Sequence, residues 1–123
     1  MACLLALLLA VTGLTAFDVS TARPAGAASA GCPGRPDRVY PFATGELRVH
    51  RSARHVCAVT VAKKPGKRRF MSVSLQPRGG RPKVDAGRYT RLAGPVTVYA
   101  HNRCVRATGK VGRSGRSSGW ILC

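Results

Sequence analysis

Acidic residues are scarce in this chain. Four Asp and Glu stand against 21 Lys and Arg in 123 residues, a formal net charge of +17 at pH 7. Mechanisms built on paired carboxylates therefore have little to draw on. Beyond residue 30 the candidate acids and bases are His50, His55, His101, Asp37, Glu46 and Asp85. Helical periodicity is missing as well. There is no Gly-x-Ser-x-Gly, no His-Glu-x-x-His and no phosphate loop. There is no Cys-x-x-Cys pair and no paired His at ligand spacing, which argues against a zinc site. Aromatic residues make up 6% of the chain, so Tyr89, Tyr99 and Trp120 read first as core or rim packing and second as platforms for bases or sugars. The expectation is a non-enzymatic protein with no cofactor and no metal.

The longest apolar run, Ala2 to Ala16, falls short of the roughly 20 residues of a membrane span. Ala28-Ser29-Ala30 then fits a secretory cleavage pattern, which makes residues 1–30 a signal peptide cut after Ala30. No Lys or Arg precedes the apolar run, so a later-assigned start and a retained membrane anchor are the competing readings. Ala30-Gly31-Cys32 also resembles the end of a lipid-attachment site, but Ser29 replaces the usual large aliphatic residue and Cys32 is remote from the apolar run. The expected location is extracellular or at the cell surface.

After cleavage, Cys32, Cys57, Cys104 and Cys123 remain. An even number in a short secreted domain reads as two disulfides, with three possible connectivities. The favoured pairing is Cys57–Cys104, stapling two strands, with Cys32–Cys123 tying the chain ends. Arg23 and Asp18 cancel, so residues 31–123 keep the full charge, with Asp37, Glu46 and Asp85 as their acids. Such a chain is drawn to polyanions such as nucleic acid, teichoic acids, anionic lipids or acidic polysaccharide. The competing account is compositional: Arg, Ala, Gly and Pro are abundant, as in a GC-rich genome.

Along the chain, residues 31–43 read as an extended, proline-rich arm and residues 44–123 as one β domain. Thr44 to Arg51 alternates, with Leu47 and Val49 on one face. His55 to Ala62 is the strongest strand, with Cys57, Val59 and Val61 sharing a face. Pro65-Gly66 suits a type II turn, and Met71, Val73 and Leu75 then point inward from a returning hairpin strand. A short strand is expected around Arg88-Tyr89-Thr90, broken by Gly94-Pro95. Val96 to Ala100 and Val105 to Val111 are further strands, residues 112–119 a loop, and Trp120 to Cys123 a closing strand. Turn signals every 8–12 residues predict an all-β fold: a small antiparallel β-sandwich or barrel stapled by two disulfides.

Asp85-x-Gly87-x-Tyr89-x-x-Leu92-Ala93-Gly94-Pro95-Val96-x-Val98, followed by Cys104, looks like the core of the spore-associated protein A family. Cys57-Ala58-Val59-Thr60-Val61 fits the same pattern upstream. The resemblance spans roughly residues 44–123. The chain departs from it with Leu92 in place of an aromatic and Ala107-Thr108 in place of Trp-Gly. It implies a small secreted actinomycete protein found with aerial hyphae or spores, and it implies no catalytic residues.

The candidate polyanion-binding residues are Lys63, Lys64, Lys67, Arg68 and Arg69 at the expected hairpin tip, with Arg113 and Arg116 in the late loop. A charged tip also guards a hairpin against aggregation. The expected partners are anionic cell-envelope polymers or other polyanions. Competing functions are a diffusible cationic antimicrobial or inhibitor, and a small nuclease. The last is disfavoured: Glu46 and His50 on one strand face would lie about 13 Å apart, too far for direct acid–base partnership. Asp85 is expected to order its own turn before Gly87.

Overall fold

The structure, a computed structural model, describes residues 31–123; the expected signal peptide lies outside the described residues. Eight strands follow one another: β1 (Arg38–Phe42), β2 (Gly45–Ser52), β3 (His55–Ala62), β4 (Arg69–Pro77), β5 (Lys83–Tyr89), β6 (Leu92–Tyr99), β7 (Val105–Val111) and β8 (Ser114–Ile121). They form two four-stranded antiparallel sheets, ordered β1-β2-β3-β6 and β5-β4-β7-β8. Among the described residues no helix is long and apolar enough to cross a membrane.

The core lies between the sheets. Leu47 and Val49 of β2, Val56 and Ala58 of β3, Met71, Val73 and Leu75 of β4, and Val105, Ala107 and Val111 of β7 are buried there. Alternation along each strand delivers these side chains to one face. Burial contributes about 1.5–3 kcal/mol for each large one. At the centre Gly109 of β7 passes so close to β2 and β3 that a Cβ there would collide with Thr60 Oγ1 and crowd Leu47.

β3 does not form a hairpin with β4. β3 pairs with β2 and β6, whereas β4 pairs with β5 and β7. Residues 63–68 instead cross from one sheet to the other. Packed sheets lie about 10 Å apart, a gap that a loop of this length spans easily. The inward faces of the two strands are therefore opposed across the core rather than adjacent in one sheet.

Three further segments differ from expectation. Residues 38–42 of the supposed arm are strand β1, paired along β2 with Tyr40 opposite Leu47. Gly94-Pro95 does not end a strand. It forms a bulge opposite Val59 inside β6, with Gly94 at φ 98° and a cis bond to Pro95. The supposed loop at 112–119 is a tight turn at Gly112-Arg113 followed by β8. Gly112 supplies φ 65° at that turn, and Gly/Ser-rich β8 pairs with β7 on one side.

The disulfides are Cys32–Cys57 and Cys104–Cys123, a correction to the favoured pairing. The reason is the facing of Cys57. Val56 and Ala58 point into the core, so Cys57 and Val59 point outward from the β1-β2-β3-β6 sheet. Residues 31–36 cover that outer face. Gly31 lies against the Val59 side chain, and Pro33 O accepts a hydrogen bond from His50 Nδ1 at 3.1 Å. Cys57 therefore meets Cys32 of the arm. Cys104, between β6 and β7, meets Cys123 just beyond β8. Cys32 Sγ, the atom a lipid thioether would need, is held in the first disulfide. Two disulfides are compatible with an extracellular location.

Candidate polyanion-binding surface

Four connections meet at one end of the sandwich: residues 43–44, 63–68, 90–91 and 112–113. Backbone hydrogen bonds lace them together. Lys63 N donates to Thr44 O at 2.9 Å, Gly66 N to Thr90 O at 3.0 Å, Ala62 N to Arg91 O at 2.8 Å and Gly112 N to Phe70 O at 2.8 Å. Thr44 Oγ1 donates to Val111 O at 2.7 Å. A cleft of about 210 Å³ opens here between Ala43, Thr44, Lys63, Lys64 and Arg69.

Five of the seven candidate cations share this end with free or exposed heads. Lys63, Lys64 and Lys67 are exposed on the crossover loop, and Arg113 is exposed on the β7–β8 turn. Arg68 is exposed and spends one donor on Arg88 O at 3.2 Å. The remaining two hold the fold. Arg69 folds back to donate Nη2 to Lys64 O, and its Nε is buried with no partner. Arg116 lies on β8, donates Nη1 to Pro41 O at 3.1 Å and sits 5.5 Å above the Tyr40 ring. It thereby links β8 to β1, the edge strands of the two sheets.

The three acids among the described residues are all engaged. Glu46 forms an ion pair with Arg48. Asp37 Oδ2 accepts Arg51 N–H at 2.5 Å. Asp85 sits mid-strand in β5 rather than at a turn of its own. Its Oδ2 accepts Gly94 N–H at 2.7 Å and its Oδ1 accepts the Tyr89 hydroxyl at 2.6 Å. Tyr89 reaches back over Gly87, where a Cβ would stand 3.1 Å from the ring. Asp85, Tyr89 and Gly94 thus form a latch that fastens β5 to the β6 bulge. The hydrogen bond to Asp85, with partial burial and the nearby negative charge, raises the Tyr89 pKa above its ordinary 10.0.

The histidines are dispersed. His50 is 6% exposed beneath the arm. His55 and His101 are exposed at the opposite end and flank Tyr99, with ring centroids 5.6 and 6.5 Å away. Among the described residues no three His, Cys, Asp or Glu side chains gather where they could hold a metal ion.

A second cationic cluster escaped the sequence reading. Trp120 is 37% exposed, with Arg106 Cζ 4.8 Å and Arg78 Cζ 5.3 Å from its ring centroid. The one available signal was outward phase on strands whose pairing was unknown. No protein-family model matches the chain, and neither does any curated protein or solved structure.

Proposed function

We propose that this is a secreted, non-enzymatic protein that associates with a cell or spore surface, held partly by charge on anionic envelope polymers. The observation that carries the reading is the pairing of the acids. Arg48 is the one Lys or Arg in a salt bridge among the described residues, and Asp37 and Asp85 are committed to backbone N–H groups. The remaining cations have no salt-bridge partner among the described residues, which supports neutralisation by an external polyanion. The laced end carrying Lys63, Lys64, Lys67, Arg68 and Arg113 is the first surface expected to meet a polyanion. The resemblance to the spore-associated protein A family supports the location. The burial of His50, the engagement of each carboxylate and the distance along β2 from Glu46 to His50 support a role without catalysis.

The test is fractionation of a sporulating culture into medium, high-salt wash and detergent extract, with antibody detection in each. Release from hyphae or spores by salt is the expected result, because phosphate contacts weaken steeply as counterions compete. Protein found free in the medium would overturn surface retention in favour of a diffusible cationic effector. Release by detergent alone would instead indicate a lipid or membrane anchor.

A further inference from the structure

The outer face of the β5-β4-β7-β8 sheet carries an arrangement that simple charge does not explain. Gln76 on β4, Arg106 on β7 and Trp120 on β8 stand in one cross-strand row. Gln76 Nε2 donates to Gly80 O at 3.0 Å, which turns its Oε1 toward Arg106 to accept Nη2–H at 3.0 Å. Arg106 is thereby oriented and also lies over the indole. Arg78 reaches the same indole from just beyond β4, its own N–H fixed to Cys104 O at 2.9 Å. The Cys104–Cys123 disulfide ties that backbone to the end of β8, three residues past Trp120. Two guanidiniums are thus assembled on one ring, although like charges repel and all three acids are engaged elsewhere.

We propose that Arg78, Arg106 and Trp120 form a binding site for the phosphate group of a phosphodiester polymer. Arg106 spends one Nη on Gln76, while Arg78 makes one long contact to Cys104 Sγ at 3.9 Å, so most donors of both forks are open. A carboxylate presents two coplanar oxygens and is best matched by a single fork. A tetrahedral phosphate presents its oxygens out of one plane and accepts from two guanidiniums approaching from different sides. The indole holds both cations in place, so less side-chain freedom is lost on binding. The ligand is a chain rather than a terminal group because the site is open: the row beside it on the same face, Ser74 and Thr108, is small and hydroxyl-bearing and lets a polymer continue. The proposal rests on the surface-retention reading for its polymer and names the group that is recognised.

The test measures affinity of the disulfide-bonded protein for poly(glycerol phosphate), a single-stranded oligonucleotide and polyglutamate of matched length. Two variants keep the charge: R78K/R106K removes the forks, and W120L removes the platform. Each is expected to lose about tenfold in affinity for phosphate polymers, the scale of one charge-assisted hydrogen bond, and little for polyglutamate. Loss on both phosphate polymers assigns the site to the phosphate group itself, and loss on one identifies the backbone it fits. K63Q/K64Q, at the other end, is expected to weaken all three polymers alike. Equal binding of the three polymers by the parent, with both charge-preserving variants unchanged, would overturn the site and leave charge-based retention standing. Parent protein that binds none of them would overturn both.

Discussion

Breaking the two disulfides one at a time should have unequal consequences. Cys32–Cys57 spans a sequence separation of 25 and Cys104–Cys123 one of 19. On loop-closure entropy alone they contribute about 3.5 and about 3 kcal/mol, nearly the same. The native state separates them. Cys32 anchors the arm that covers the outer face of the first sheet, where Val59 is 2% exposed and His50 6%. Loss of that anchor uncovers Val59, which adds about 1.5 kcal/mol, and frees the carbonyl of Pro33 from His50. C32S/C57S should therefore cost about 5 kcal/mol and C104S/C123S about 3 kcal/mol. Urea unfolding followed by tryptophan fluorescence measures both, since Trp120 is the chain's single tryptophan. Mapping by trypsin without reduction should first confirm the pairs, because a Lys or Arg lies between each successive pair of these cysteines. A fragment joining Cys57 to Cys104 would refute the outward facing of Cys57. A larger cost for C104S/C123S would refute the covering role of the arm.

Other perturbations test the interior and the latch. Asp85→Ala leaves Gly94 N–H without its acceptor and should destabilise the fold by about 1–3 kcal/mol, measured by the same unfolding; no loss would remove the latch. Tyr89 has a folded pKa above the unfolded value of 10.0. Its stabilising contribution is thus complete below pH 10.0 and lost as pH rises through the folded value. Absorbance titration should show Tyr89 ionising above pH 10.0, and at lower pH in Asp85→Asn than in the parent. Thr60 Oγ1 is buried without a hydrogen-bond partner. Thr60→Val should therefore raise stability by about 1 kcal/mol, whereas Gly109→Ala, which drives a methyl into that hydroxyl, should cost about 1–3 kcal/mol. A destabilised Thr60→Val would show that the hydroxyl is satisfied after all.

The strands were legible where alternation was strict. Leu47 and Val49, and Met71, Val73 and Leu75, entered the core as their phase required. Pairing was not legible, because alternation fixes which face is buried but not whether the next strand lies beside or across the core. That ambiguity converted the Lys63–Arg69 crossover into an expected hairpin. It also misdirected the disulfides: β3 is buried on both faces, one by the other sheet and one by the arm, so burial of Cys57 did not reveal its direction. Gly-Pro and Gly/Ser runs read as breaks, yet Asp85 holds the Gly94 bulge within β6 and β7 templates β8. The cations of the crossover loop were visible as a cluster in sequence. Arg78, Arg106 and Trp120 were not, since only the β4-β7-β8 register brings them together.

The same charge that favours association works against folding, and salt separates the two. Folding gathers residues with a net charge of +17 onto a compact surface, and their mutual repulsion destabilises that state relative to an expanded chain. One salt bridge among the described residues offsets little of it. The core and two disulfides hold the fold against this repulsion. Moderate salt screens it, with a Debye length of about 8 Å near 0.15 M, so the melting temperature should rise with added salt. The same addition weakens phosphate contacts, and the logarithm of affinity should fall by about 0.7–0.9 per contact per decade of salt. A polyanion that binds the folded form should in turn raise the melting temperature at low salt by mass action, and the gain should vanish as salt is added. Stability and polymer affinity moving in the same direction with salt would show that repulsion is not what the fold works against, and that surface charge is already balanced within the chain.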